Sequence, residues 1–338
     1  MKALVCTKPG LLEYKEISKP SLQKGHALLR IKRIGVCGTD VHAYEGTQPY
    51  FNYPRILGHE LSAEIAEITN NNEFSIGDLV TIIPYMHCGK CIACRNGKTN
   101  CCVQLKVCGV HVDGGMTEYF LVPTEYLVHS NGLCADELAL VEPLSIGAHG
   151  IKRANVQQGE FVLIIGAGPI GLGAMQFGKI ANAKIIAVDV NDQRLEFCRK
   201  NNLAHFTINT VTEDAITKLS SITQNEMPTV VIDATGNLNA INNAFQYIAH
   251  GGRYILIGLQ KENISFSHPE FHKREATLMS SRNATRADFQ LVIDCIKNKS
   301  IQPLQFITHR VNFDEVPDRF SMLLNTGNGV IKAMINIY

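Results

Sequence analysis

The sequence has no tryptophan, no apolar run long enough to cross a bilayer and no excess of either charge. Each absence removes something. Without tryptophan, indole fluorescence cannot report ligand binding. The most apolar stretch, FVLIIGAGPIGLGAM (Phe161 to Met175), is broken by four glycines and a proline. It falls short of the roughly 20 residues that a spanning helix needs. A formal net charge of +1 over 338 residues, with both signs mixed, gives no electrostatic reason to expect nucleic acid or an anionic membrane as partner. The start, MKALVCTKPG, lacks the apolar core of a signal peptide, so a cytoplasmic location is expected. No internal repeat or low-complexity tract is visible. What remains is a globular composition, 45% hydrophobic and 19% charged, at a length that predicts two domains.

Cysteine is plentiful instead. There are eleven, an odd number that suits a disulfide framework poorly, and thiols stay reduced in the cytosol. Five of them crowd into HCGKCIACRNGKTNCC, His87 to Cys102. Two-residue spacers let Cys88, Cys91 and Cys94 converge on one ion, and RNGKTN gives a return for a fourth sulfur. Four thiolates in a closed set are what a structural zinc takes. Cys101 competes with Cys102 for the fourth place. Cys102 is preferred, because neighbours in an extended segment point to opposite sides. Such a site has no open position for a substrate, so the chemistry must lie elsewhere.

The middle of the chain reads as strand, glycine turn, helix, strand. Gly166, Gly168 and Gly171 fit G-x-G-x-x-G after the β-rich run Phe161 to Ile165. The three glycines allow a tight turn, backbone approach to a pyrophosphate and close helix packing, and the helix start at Pro169 and Ile170 faces the phosphates. The next strand ends in Asp189, a carboxylate placed to accept from ribose hydroxyls and to repel a 2′-phosphate, so NAD is favoured over NADP. TVVIDATGN and GGRYILIGL are two more buried-strand runs ending in turn residues, and Gly258 in the second joins the candidate cofactor contacts. Strands alternating with helices predict a doubly wound parallel sheet.

Two N-terminal stretches carry the candidate reactive site. GVCGTDVH holds Cys37, Thr39, Asp40 and His42, and ILGHE holds His59 and Glu60. A thiolate, an imidazole and a carboxylate with one position open make a catalytic zinc site. Glu142 is an acid inside the apolar ALVEPLSIGAH, where a carboxylate is costly unless paired or metal-bound, so it is a second candidate ligand.

The motifs CGTDVH, GHE, CGKCIACRNGKTNCC, EPLSIGAH and GAGPIG, in this order, resemble those of the zinc-dependent medium-chain dehydrogenases, in their polyol and sugar-acid branch. The resemblance implies a GroES-like β-rich catalytic domain over residues 1–147 and a Rossmann NAD-binding domain over 148–280. It also implies a segment, 281–338, that returns to the catalytic domain. It implies one catalytic and one structural zinc per chain, NAD as cofactor, and a homodimer or homotetramer. Cys37 and His59, with Glu60 or Glu142, would hold the catalytic zinc. Thr39 would take the proton of the bound alcohol, His42 would relay it to solvent, and Asp40 would orient His59. Asp189 and Arg194 would bind the ribose and pack near the adenine.

The chain departs from the family pattern at Ala63, where a glycine is usual, and at NNNEF; both are expected where a strand turns. A sugar acid needs cationic or amide donors, for which Arg282, Asn283 and Lys273 are candidates. The opposing reading puts Arg282 and Asn283 on the nicotinamide and leaves Lys273 as a solvated helix residue. Tyr44, Tyr50 and Phe51 are candidate pocket walls. Phe289, Val292, Ile293 and Ile296 recur at helical spacing and predict an amphipathic helix in the tail. A zinc-free reductase would lack Cys37, His59 and the cysteine cluster. A non-catalytic nucleotide-binding protein of the same fold would have no need of intact ligands.

Overall fold

Two sheets organise the chain, and their sequences differ for a physical reason. The computed structural model describes residues 1–48, 51–69, 71–324 and 329–337. The chain divides into two units, Met1–Pro143 with Ala284–Tyr338, and Leu144–Asn283.

The first unit is built on a seven-stranded sheet. Its strands include β1 (His26–Gly35), β2 (Glu60–Ile68), β3 (Leu79–Ile82), β4 (Tyr119–Pro123) and β5 (Leu127–His129). The helix α1 (Gly38–Glu45) follows β1 directly. Strands β12 (Ile307–Asn312) and β13 (Lys332–Asn336) come from the tail, so the C-terminal residues complete a sheet begun near the N-terminus. The order is β5-β3-β2-β1-β13-β12, with β4 also pairing with β1. Ala63 lies within β2 opposite Ile31 and Val80, buried, and not at a turn. The expectation of an altered loop there is therefore corrected: a small side chain fills a strand interior next to a register shift between Ile31 and Arg33. The tail helix α5 (Arg286–Lys297) buries Phe289, Val292, Ile293 and Ile296.

The second unit holds a six-stranded, wholly parallel sheet. Its strands are β6 (Phe161–Ile165), β7 (Lys184–Asp189), β8 (Phe206–Asn209), β9 (Val230–Asp233), β10 (Arg253–Leu256) and β11 (Thr277–Ser280). The order β8-β7-β6-β9-β10-β11 is that of a dinucleotide-binding Rossmann sheet, and it reverses direction of growth beside β6. Central strands such as FVLII are apolar throughout because helices cover both faces. α2 (Val141–Ala154) begins in the first unit and continues into the second, and the division falls four residues earlier than the sequence suggests. Helices α3 (Pro169–Ile180) and α4 (Asp192–Lys200) follow β6 and β7. Among the described residues no helix is long and apolar enough to cross a membrane.

Candidate active site and metal centres

In the first unit, the ends of β1, β2, α2 and β13 bring an unusual set of polar side chains together in the interior. Asp40, His59, Glu60, Glu142 and Lys332 are all buried, and Cys37 is half-buried. Cys37 caps the N-terminus of α1, and Glu60, directly after His59, opens β2, which pairs with β1 so that Gly35 stands opposite Glu60. That position must be glycine: a Cβ there would lie 2.0 Å from Glu60 Oε2. Lys332 Nζ donates to both oxygens of Glu60 at 2.7 Å and to the Val36 carbonyl at 3.0 Å. The Tyr85 hydroxyl donates to Glu142 Oε1 from a buried position against Phe289.

Charge decides what this cluster can hold. Four acidic groups, Cys37, Asp40, Glu60 and Glu142, act on two basic ones, His59 and Lys332. Burial pulls the His59 imidazolium down, but its hydrogen bond and charge interaction with Cys37, with Asp40 and Glu142 adding to them, hold it well above its ordinary range. Burial pushes the Glu142 carboxyl up to about 7, with Glu60 adding to it, against the pull of His59, Tyr85 and Lys332. His59 Nδ1 is buried with no hydrogen-bond partner, which buried polar atoms seldom lack. A surplus of acidic over basic side chains, an orphan imidazole nitrogen and a mixed sulfur, nitrogen and oxygen donor set all fit a zinc ion.

Asp40 does not do what the sequence suggests. Its two oxygens accept from the backbone N–H of Cys37 at 2.9 Å and of Gly58 at 3.1 Å. It reaches His59 through charge, and it fixes the two loops that present Cys37 and His59. Thr39 is half-buried in the first turn of α1, and His42, one turn on, is exposed with Nδ1 3.1 Å from Thr47 Oγ1. Tyr44 packs on Phe320 and Phe51 on Tyr53, while Tyr50 lies outside the described residues.

The four-cysteine lobe is a separate, closed centre. The ligand atoms of Cys88, Cys91, Cys94 and Cys102 all lie within 4.8 Å of one another, the one such group among the described residues. Cys102 is buried and Cys101 is exposed. Backbone N–H groups of Cys94 and Val103 draw the Cys91 thiol down to about 6, whereas burial and the neighbouring sulfurs push Cys94 up to about 12. Four thiolates at this spacing repel one another, and a bound dication removes that conflict.

In the second unit, the turn after β6 is shaped by its glycines. Gly166 has φ +99°, and a Cβ there would lie 2.8 Å from Thr235 Cγ2; one on Gly171 would lie 1.8 Å from the Gly166 carbonyl oxygen. Gly168, Pro169 and Ile170 are half-exposed at the start of α3, where proline sits without a wasted donor. Asp189 Oδ2 accepts from Ala167 N–H at 2.7 Å and Oδ1 from Asn191 N–H at 2.9 Å, so the acid also braces the glycine turn. Arg194 Nη1 comes within 3.9 Å of a Cβ built on Gly168. Gly258 is required by packing: a Cβ would meet Gly236 N at 2.1 Å. Asp233, absent from the sequence reading, organises that second turn by accepting from Thr235 N–H, Thr235 Oγ1 and Gly236 N–H.

The substrate candidates separate. Lys273 lies on the short helix His268–Lys273, 65% exposed and 3.9 Å from Glu270, so the structure favours the solvated-helix reading over a carboxylate contact. Arg282 is exposed, and Asn283 has φ +52°.

A dinucleotide sheet in one unit and a buried thiol–imidazole–carboxylate cluster in the other define an oxidoreductase. Comparison with known proteins makes the class specific. Residues 23–132 match the alcohol dehydrogenase GroES-like domain, and residues 169–298 match the zinc-binding dehydrogenase domain. L-galactonate-5-dehydrogenase of Escherichia coli K12 is 39% identical over 336 residues, spanning 99% of this chain and 98% of its own. Sorbitol dehydrogenase of Bacillus subtilis is 28% identical over 99% of this chain and 97% of its own. The crystal structure of the RspB alcohol dehydrogenase of Escherichia coli CFT073, complexed with NADH, superposes with a TM-score of 0.92 at 31% identity, covering 100% of this chain and 99% of that one. The chain belongs to the zinc-dependent medium-chain dehydrogenase/reductase family.

Proposed function

We propose that the protein oxidises a secondary alcohol of a sugar acid to a ketone with NAD, the substrate being L-galactonate and the product D-tagaturonate. The observation that carries this reading is the 39% identity to L-galactonate-5-dehydrogenase along 99% of the chain. A polyol is the second reading, favoured by the likeness to sorbitol dehydrogenase along the same length.

Two zinc ions per chain are part of the proposal. Cys88, Cys91, Cys94 and Cys102 hold one and fix the lobe around it. Cys37 and His59, with Glu60 or Glu142, hold the other, and Asp40 keeps their loops in place through its two backbone bonds. Zinc at that second position supplies Lewis acidity, lowering the pKa of a hydroxyl beside it. Thr39 accepts the substrate proton. His42, three residues on along the same helical face, passes it to solvent. The turn of Gly166, Gly168 and Gly171 would hold the dinucleotide, which would supply the hydride acceptor. Pro169 and Ile170 stand at the helix start beside the pyrophosphate, and Arg194 flanks the adenosine. Asp189 binds the ribose hydroxyls and disfavours a 2′-phosphate. Arg282 is the fork-shaped cation proposed for the sugar-acid carboxylate, with Asn283 beside it.

The test is NADH formation by zinc-replete protein against L-galactonate, sorbitol, galactitol and L-threonine, each with NAD and with NADP. Turnover of L-galactonate with NAD above the other seven combinations supports the reading. A polyol or L-threonine turned over faster overturns the substrate and keeps the chemistry.

A further inference from the structure

One buried cation has no part in the chemistry above. Lys332 is 2% exposed, yet it comes from GVIKAMINI, a strand otherwise apolar around it. Its ammonium is fully committed: two bonds go to Glu60 Oε1 and Oε2 at 2.7 Å and one to the carbonyl of Val36, the residue before Cys37. The two candidate carboxylates at this cluster are thus held by unlike partners. Glu60 has both oxygens on a charged group, whereas Glu142 receives a neutral phenol, Tyr85, on Oε1.

We propose that Lys332 is a positioning residue that keeps Glu60 out of the inner shell of the metal, so that Glu142 completes the ligand set with Cys37 and His59. The proposal rests on the zinc reading of this cluster given above. Its physical basis is the difference between the two partners. For Glu60 to turn an oxygen to an ion, a buried ammonium must give up one of its two bonds to that carboxylate, and weakening the pairing of a buried charge is disfavoured. Glu142 can turn Oε2 to an ion while Oε1 keeps the Tyr85 hydroxyl, so its ligation strands no charge. The same ammonium that restrains Glu60 also donates to the Val36 carbonyl, next to Cys37 in the chain. Gly35 supports the arrangement, because only a residue without Cβ leaves Glu60 room to lie against β1 and face Lys332.

The experiment measures zinc affinity by chelator competition on the full-length protein, with activity playing no part. Cys37→Ser first identifies the relevant ion as the one lost when zinc falls from about two to about one per chain. Glu142→Gln is expected to weaken that ion at least about tenfold. The charge-neutral double variant Glu60→Gln/Lys332→Met is expected to change it by less than about threefold. Lys332→Met alone frees Glu60 to ligate, so adding Glu142→Gln to it is expected to have little further effect, whereas in a Lys332→Arg background Glu142→Gln stays damaging. The proposal is overturned when the Glu60→Gln/Lys332→Met protein loses zinc as severely as Glu142→Gln. That comparison needs no single-residue Lys332 variant to fold. Should Cys37→Ser leave both ions bound, the catalytic-zinc reading itself fails, and the two failures are distinguishable.

Discussion

Gly35 and Glu60 face each other across β1 and β2 so closely that a Cβ on residue 35 would lie 2.0 Å from Glu60 Oε2. A backbone position is thereby tied to the electrostatics of a buried cluster. Gly35→Ala must displace the carboxylate and loosen its pair with Lys332. Overpacking of this kind destabilises by about 1–3 kcal/mol. A thermal melt is expected to show a lowered Tm. An unchanged Tm would mean that Glu60 has slack that the packing does not show.

The two proposed zinc centres are expected to respond separately. Cys37→Ser lowers the zinc content from about two to about one per chain and leaves the fold intact. Cys91→Ser instead removes the lobe zinc and lowers stability, because a structural metal contributes directly to folding. Metal analysis and circular dichroism on both variants check this. Equal loss of structure in the two would contradict the division of labour.

Asp189, proposed to set cofactor choice, also braces the glycine turn through its bond to Ala167 N–H at the end of β7. Replacing a charged acceptor commonly costs about 1.5–3 kcal/mol, or roughly 10–150-fold in an equilibrium. Asp189→Ala is therefore expected to raise KM for NAD by one to two orders of magnitude and to narrow the preference over NADP. Asp189→Asn, which can still accept from Ala167, is expected to keep more of the NAD affinity. Unaltered KM for NAD in both variants would remove the acid from the cofactor site.

Arg282 is the residue proposed to separate substrate classes. Arg282→Ala is expected to reduce kcat/KM for L-galactonate by about 10–100-fold, the worth of a charge-assisted bond, and to leave a polyol much less affected. Equal losses on both would assign the guanidinium to the cofactor instead.

What the sequence reveals here follows how local each feature is. The cysteine lobe is visible because its ligands lie within fifteen residues and their spacing is itself the geometry. The glycine turn and the amphipathic helix α5 are visible for the same reason, being set by steric need and by a period of 3.6 residues. Cys37, His59 and Glu142 stand out as reactive types in apolar company, but their assembly depends on family likeness, since β1, β2 and α2 must first pack. Lys332 is the instructive omission. A lone lysine in a strand reads as a solvent-facing position, and its carboxylate partner lies 272 residues upstream. The only local signal was its apolar neighbours on both sides. Tyr85, Asp233 and the true bonds of Asp40 were hidden in the same way. Lys273 shows the reverse: a cation chosen for its chemistry that the helix surface gives to Glu270.

The central claim is that Cys37 and His59 hold the metal on which NAD-linked oxidation of a sugar acid depends. The most direct test is kcat/KM for L-galactonate with NAD in the native and Cys37→Ser proteins, both shown by metal analysis to retain the four-cysteine zinc. The account predicts turnover in the native protein and none above background in the variant. Native turnover surviving in Cys37→Ser would contradict it.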